Sequence, residues 1–202
     1  MVRSTCPSRL EPLEANRLRR RTLLRPLSTF SNASTNEEFN GKKVFYSFHY
    51  KPDCSRAAQV RNIGAIEGNP PASDNDWESI TSGGNAAIQK WIDGQLSGKS
   101  CALVLIGANT AGRKWIKYEI KKAWELGKGV LGVYIHRLKD FAGNQSSQGN
   151  NPFDDVNISG TSLSSIVKAY NPPYLDSKQV YGHISDNIAG WIDEAITIRG
   201  KY

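Results

Sequence analysis

The sequence predicts a doubly wound α/β domain, three layers deep, around a parallel sheet. From Lys43 onward, short β-branched or aromatic runs alternate with segments of helical period, the pattern of strands joined by crossover helices. Cys101–Ile106 and Val130–Ile135 are wholly apolar, as strands covered on both faces are.

Val44-Phe45-Tyr46-Ser47-Phe48 is the first predicted strand. A helix follows from Ser55 to about Gly64. Residues 67–84 are rich in Gly, Pro, Asn and Asp and read as a loop with a weak strand in it. Ile88, Trp91, Ile92 and Leu96 recur at helical spacing, so Asn85–Leu96 is an amphipathic helix laid on the sheet. After the Cys101–Ile106 strand, Gly107–Gly112 turns the chain, with Asn109 or Thr110 available to cap a helix over Lys114–Leu126 that Gly127 ends. The Val130–Ile135 strand leads into a long excursion, residues 137–182, rich in Asn, Ser, Gly and Pro. Ile184, Ile188, Trp191, Ile192 and Ala195 mark a closing helix that ends near Arg199.

The chain has 202 residues, 39% of them apolar, enough for one domain with a proper core plus an appendage. Its net charge of +7 is uneven. Residues 1–35 hold seven Arg against Glu11 and Glu14, leaving 19 basic and 17 acidic groups for the rest. Residues 36–202, which include the expected domain at 41–202, are therefore near neutral, which argues against specific nucleic-acid binding. Residues 1–40 read as a disordered or leader segment, Arg-rich and interrupted by Pro7, Pro12 and Pro26. Three scattered cysteines suggest neither disulfides nor a metal site, and fit a reducing cytoplasm. No apolar run approaches the roughly 18 residues of a membrane span.

Two motifs are decoys. Gly94-Gln-Leu-Ser-Gly98-Lys99-Ser100 resembles a phosphate loop but is one residue short. It also leaves a helix to enter a strand, the reverse of what would aim a helix N-terminus at phosphate, so Gly98 reads as a helix C-cap. Asp53, Asp74 and Asp76 suggest a phospho-receiver, but Gly107 stands where its acceptor carboxylate is needed.

Ligands of open parallel sheets bind beyond the carboxyl ends of the strands, where the winding changes direction. With Cys101–Ile106 beside the first strand, that crevice is lined by Ser47-Phe48-His49-Tyr50 and Gly107–Gly112, and Glu119 lies on the helix leaving it. At 100° per residue, Ile116, Ile120 and Ala123 form the buried stripe, with Glu119 on its flank one turn after Trp115. Two readings of Glu119 stay open on spacing alone: a carboxylate partly desolvated beside indole, or a solvated group paired with Lys122 three residues on.

Lys43-Val-Phe-Tyr-Ser-Phe-His-Tyr50 resembles the first-strand motif of TIR domains, and Trp115-Ile-Lys-Tyr-Glu119-Ile resembles their Trp-x-x-x-Glu helix motif. The TIR-like proteins of bacterial Thoeris anti-phage defence are the most similar group. Gln59-Val-Arg-Asn62, Leu103-Val-Leu-Ile-Gly107 and Asn151-Pro-Phe-Asp154 fall in the order that group shows, over about residues 42–154.

The resemblance implies a flavodoxin-like fold and cleavage of NAD at its nicotinamide-ribose bond, with Glu119 as the catalytic carboxylate. NAD is then the substrate, with no further cofactor and no metal. It also implies a cyclic ADP-ribose isomer as diffusible signal to a downstream effector, and it allows a homo-oligomer. Phe45 and Trp77 are candidates for stacking on nicotinamide or adenine, Ser47 and His49 for hydroxyl or phosphate contacts, and Trp115 for the wall beside Glu119. The competing function is a non-catalytic TIR-like adaptor working through domain-domain contacts, since fold does not fix function. A deoxyribosyltransferase-like enzyme is a third.

Overall fold

The computed structural model describes residues 42–64, 67–68 and 80–202. The expected leader and Trp77 lie outside them. Five strands make one sheet, β1 (Lys43–Phe48), β2 (Glu67–Gly68), β3 (Cys101–Ile106), β4 (Gly129–Tyr134) and β7 (Ala169–Tyr170), in the order β2-β1-β3-β4-β7 with every pairing parallel. The chain winds outward from β1 to β2, then crosses back to β3 and on to the other edge. The switch point therefore lies between β1 and β3, and the expected flavodoxin-like order is observed.

Alternation along β1 sends Val44 and Tyr46 to one face and Phe45 and Ser47 to the other. On the first face α1 (Tyr50–Arg61) and the closing helix α4 (Ser177–Arg199) contribute Ala57, Val60, Val180, Ile184, Ile188 and Ile192 to a continuous core. On the second, α2 (Gly84–Leu96) and α3 (Lys114–Glu125) contribute Ile88, Ile92, Leu96, Ile116, Ile120 and Ala123. Every residue of β3 and β4 is buried, which accounts for their apolar runs. Among the described residues no helix is long and apolar enough to cross a membrane.

Several boundaries differ from expectation. α1 starts at Tyr50, ahead of Ser55, because Pro52 occupies the first turn, where its missing N–H has no helical partner to lose. α4 starts at Ser177, capped by the Asp176 carboxylate, which accepts from the N–H groups of Lys178 and Gln179 at 3.0 and 3.1 Å. The 137–182 stretch holds the hairpin β5 (Asn157–Ile158) and β6 (Thr161–Ser162) and supplies the edge strand β7. Neither Asn109 nor Thr110 caps α3. The N-cap is Arg113, without a side-chain bond, while the Thr110 hydroxyl accepts from Gly107 N–H at 2.9 Å inside the loop. Gly98 follows α2 at φ +69°, the left-handed cap read from sequence in place of a phosphate loop.

At the opposite end of the sheet, Gly129 opens β4 directly beneath α4. A Cβ there would sit 2.8 Å from the Ile196 nitrogen and 3.0 Å from the Ala195 carbonyl carbon. Both are backbone atoms and cannot swing aside, so Gly129→Ala must lift α4. It is expected to cost about 1–3 kcal/mol, read as a lower urea midpoint. An unchanged midpoint would show that the helix is not seated as described.

Candidate functional site

The site is built where α3 crosses the carboxyl end of β1. Register places Ser47 opposite Val104 of β3, and alternation turns its side chain toward α3. Glu119 reaches it from the flank of the α3 stripe. The Ser47 hydroxyl, on a residue only 1% exposed, donates to Glu119 Oε2 at 2.5 Å.

Glu119 retains some accessible surface, yet its carboxyl end is enclosed by protein. Burial is the larger influence and pushes its pKa up to about 7, while the Ser47 hydrogen bond pulls the other way. The structure decides between the two readings left open by spacing. Lys122 lies 3.6 Å from Asp93 of α2, and no ion pair reaches Glu119 among the described residues. Tyr118 ties the same helices, donating to Asp93 Oδ1 at 3.0 Å. Glu119 is thus a desolvated acid held by a hydroxyl, not a solvated partner of lysine.

Trp115, one turn before Glu119, is half-buried, edge-on to Tyr118 at 6.0 Å, with the Lys114 ammonium 4.7 Å over its ring. His49 caps the start of α1, directly after β1, and its Nδ1 is buried without a partner. Burial, with Arg113 nearby, lowers its pKa, so the imidazole is neutral at pH 7 and can donate or accept there. Ser47 and Glu119 are thus joined directly, Trp115 lies one turn before Glu119 on α3, and His49 follows β1 two residues after Ser47.

Phe45 does not join them. It is 1% exposed and packed in the core with Ile88, Ile92 and Leu96 of α2, so its ring has no free face on which a base could stack. Ser47 also departs from its expected role, because its hydroxyl is enclosed and committed to Glu119 instead of open to a ligand. No group of His, Cys, Asp or Glu suited to a metal ion occurs among the described residues.

Sequence reasoning missed a buried polar network on the other face of the sheet. Arg56 of α1 donates to the carbonyls of Leu138 and Asn144 at 2.8 Å and of Pro52 at 3.0 Å, and pairs with Asp53 at 3.5 Å and Asp140 at 3.3 Å. Asp53 is 1% exposed, and its second oxygen has no partner. Burial raises its pKa, and Arg56 offsets part of that. Gln59 adds a bond to the Lys139 carbonyl at 2.8 Å. The only local signal was the Asp-x-x-Arg spacing of 53 and 56.

A cavity of about 290 Å³, lined by Ala111, Gly112, Asn150, Asn151, Asp154 and Asp155, opens beside the start of α3. Asp155 pairs with Lys117 at 3.0 Å. Lys117 is two residues, and so about 200°, from Glu119 around the helix. Asp155, the residue after the Asn151–Asp154 motif, thus meets α3 on a flank away from Glu119.

A parallel sheet in this order, with a buried acid on the helix after β3, is a specific combination. Residues 45–140 match the family model described as "Thoeris protein ThsB, TIR-like domain". This segment is similar to the TIR-like domains of the Thoeris ThsB family. It spans β1 through the residues just past β4, and so contains both Ser47 and Glu119. A relative from Bacillus cereus (strain MSX-D12), named "Putative cyclic ADP-D-ribose synthase ThsB1", is 38% identical over 118 residues. The match takes in 56% of this chain and 62% of that protein, so the chain spans less than two thirds of its relative's length.

Proposed function

We propose that this TIR-like domain cleaves NAD between nicotinamide and ribose, and that Glu119 is its catalytic carboxylate. The observation that carries the reading is the Glu119 carboxyl group itself: desolvated, without an ion pair among the described residues, and held by Ser47 at the switch point where such folds bind ligands.

As the C1′–N bond breaks, its electron pair moves into the pyridinium ring, which leaves as neutral nicotinamide and needs no proton from the protein. Positive charge develops on the ribose, and a fixed carboxylate in a dry site stabilises it more than water does. No second carboxylate acts on Glu119 among the described residues, and none is needed, since leaving-group protonation is the task that the second acid serves in ordinary glycosidases. Attack by a nucleophile of the same molecule closes a ring, and attack by water gives the open product.

The name of the relative supports ring closure, and so a cyclic ADP-ribose-type signal that a separate effector reads in anti-phage defence. The purified chain incubated with NAD is expected to release nicotinamide in step with NAD loss, and mass spectrometry is expected to find a product of cyclic ADP-ribose mass. Full recovery of NAD would overturn the reading. Nicotinamide release with only linear ADP-ribose would retain the cleavage and remove the cyclisation.

A further inference from the structure

We infer that Ser47 is a positioning residue of the cleavage site, fixing which way the Glu119 carboxylate faces without itself touching substrate. The inference rests on the NAD-cleaving reading and deepens it.

Three observations carry it. Ser47 is 1% exposed, so its hydroxyl is closed to a ligand. β1 is clamped by continuous parallel pairing with β3 from Val44 to Phe48, so Ser47 cannot slide along the site. The 2.5 Å bond to Glu119 Oε2 links residues 72 apart in sequence, and it commits one carboxylate oxygen to the protein while Oε1 takes no hydrogen bond among the described residues. A hydroxyl has one proton to donate, and an ionised carboxylate is its strongest acceptor in reach. The bond therefore favours the charged form of Glu119, against the burial that opposes it.

Among the described residues no neighbouring charge takes over that task. Asp93 of α2 and Lys122 of α3 pair with each other. His49 beyond β1 is held neutral by burial and by Arg113. The influences on Glu119 reduce to its enclosure and Ser47.

The test uses the full chain with Ser47→Ala and Ser47→Thr. Glu119 ionisation is followed by carbon-13 NMR of the side-chain carboxyl, and NAD cleavage is followed against pH. Ser47→Ala is expected to move the Glu119 titration upward by about one pH unit, since a hydrogen bond to the charged form has been lost. The acid limb of kcat moves with it. Below pH 7 kcat falls about tenfold while KM stays within about twofold, and most of the loss is recovered by pH 9. Thr keeps the hydroxyl and restores both profiles.

An unmoved titration in Ser47→Ala overturns the inference, as does a raised KM with an unmoved acid limb, the mark of a substrate contact. If the chain releases no nicotinamide at all, the NAD reading fails by itself. The carboxyl titration then still decides whether Ser47 controls Glu119.

Discussion

Glu119→Gln is expected to lower NAD cleavage at least about a thousandfold and, in the same protein, to make the fold harder to unfold above pH 7. The amide keeps the shape of the carboxyl group and an oxygen for the Ser47 hydroxyl, but it cannot offer a full negative charge to the ribose. Its effect on stability follows from linkage. Glu119 titrates near 4.5 when exposed and near 7 in the fold, because burial disfavours its charge. Between those values the folded state binds more protons than the unfolded state, so stability falls as pH rises and levels off above 7. Summed over that window the cost of the charge is about 3 kcal/mol, at about 1.4 kcal/mol per pH unit.

The glutamine variant carries no such cost. It should match the wild type near pH 4 and exceed it by up to about 3 kcal/mol near pH 8, as measured by urea unfolding at the two pH values. Stability that is equal at both would mean that Glu119 is solvated after all. A variant as active as the wild type would remove Glu119 from the chemistry. Gain of stability on loss of activity is the signature of a group held in a costly state for function.

The fold was legible wherever burial imposed a period. β3 and β4 read correctly because both faces are covered, and α3 because Ile116, Ile120 and Ala123 repeat along one stripe. β7 was invisible, since the two residues Ala169–Tyr170 carry no period and are strand only by pairing with Gly132 and Val133. Phe45 was misplaced because an aromatic in a strand looks alike whether it fills a core or a pocket. Ser47 and Glu119 were each nominated, but their bond spans 72 residues and no spacing rule could have joined them. The same limit hid Arg56, whose acceptors lie 82 and 88 residues away. A cation in a helix reads as surface until the loop that covers it is placed.

Arg56→Ala is expected to destabilise the domain by about 3–5 kcal/mol, the range for breaking a buried ion pair from one side. Two losses combine. The carbonyls of Leu138 and Asn144 lose a charged donor at 2.8 Å, which unfastens the segment after β4 from α1. Asp53 keeps its charge with no cation beside it, although one of its oxygens already lacks a partner in the intact protein. The second loss gives the variant a pH signature. Burial already raises Asp53 and Arg56 restrains it, so without Arg56 it rises further, and acid relieves the variant by protonating it. The stability gap between wild type and variant should therefore narrow as pH falls, and Asp53→Asn in the Arg56→Ala background should recover part of it at neutral pH. A gap that ignores both pH and Asp53 would assign the loss to the carbonyl contacts alone. Asp53 and Arg56 belong to the α1 side of the sheet and Glu119 to the α3 side. The Arg56 and Glu119 effects on unfolding free energy should then add to within about 0.5 kcal/mol in the double variant. A larger departure would mean that the strand ends transmit strain through the sheet, and that the network fastening 138–144 is part of the site.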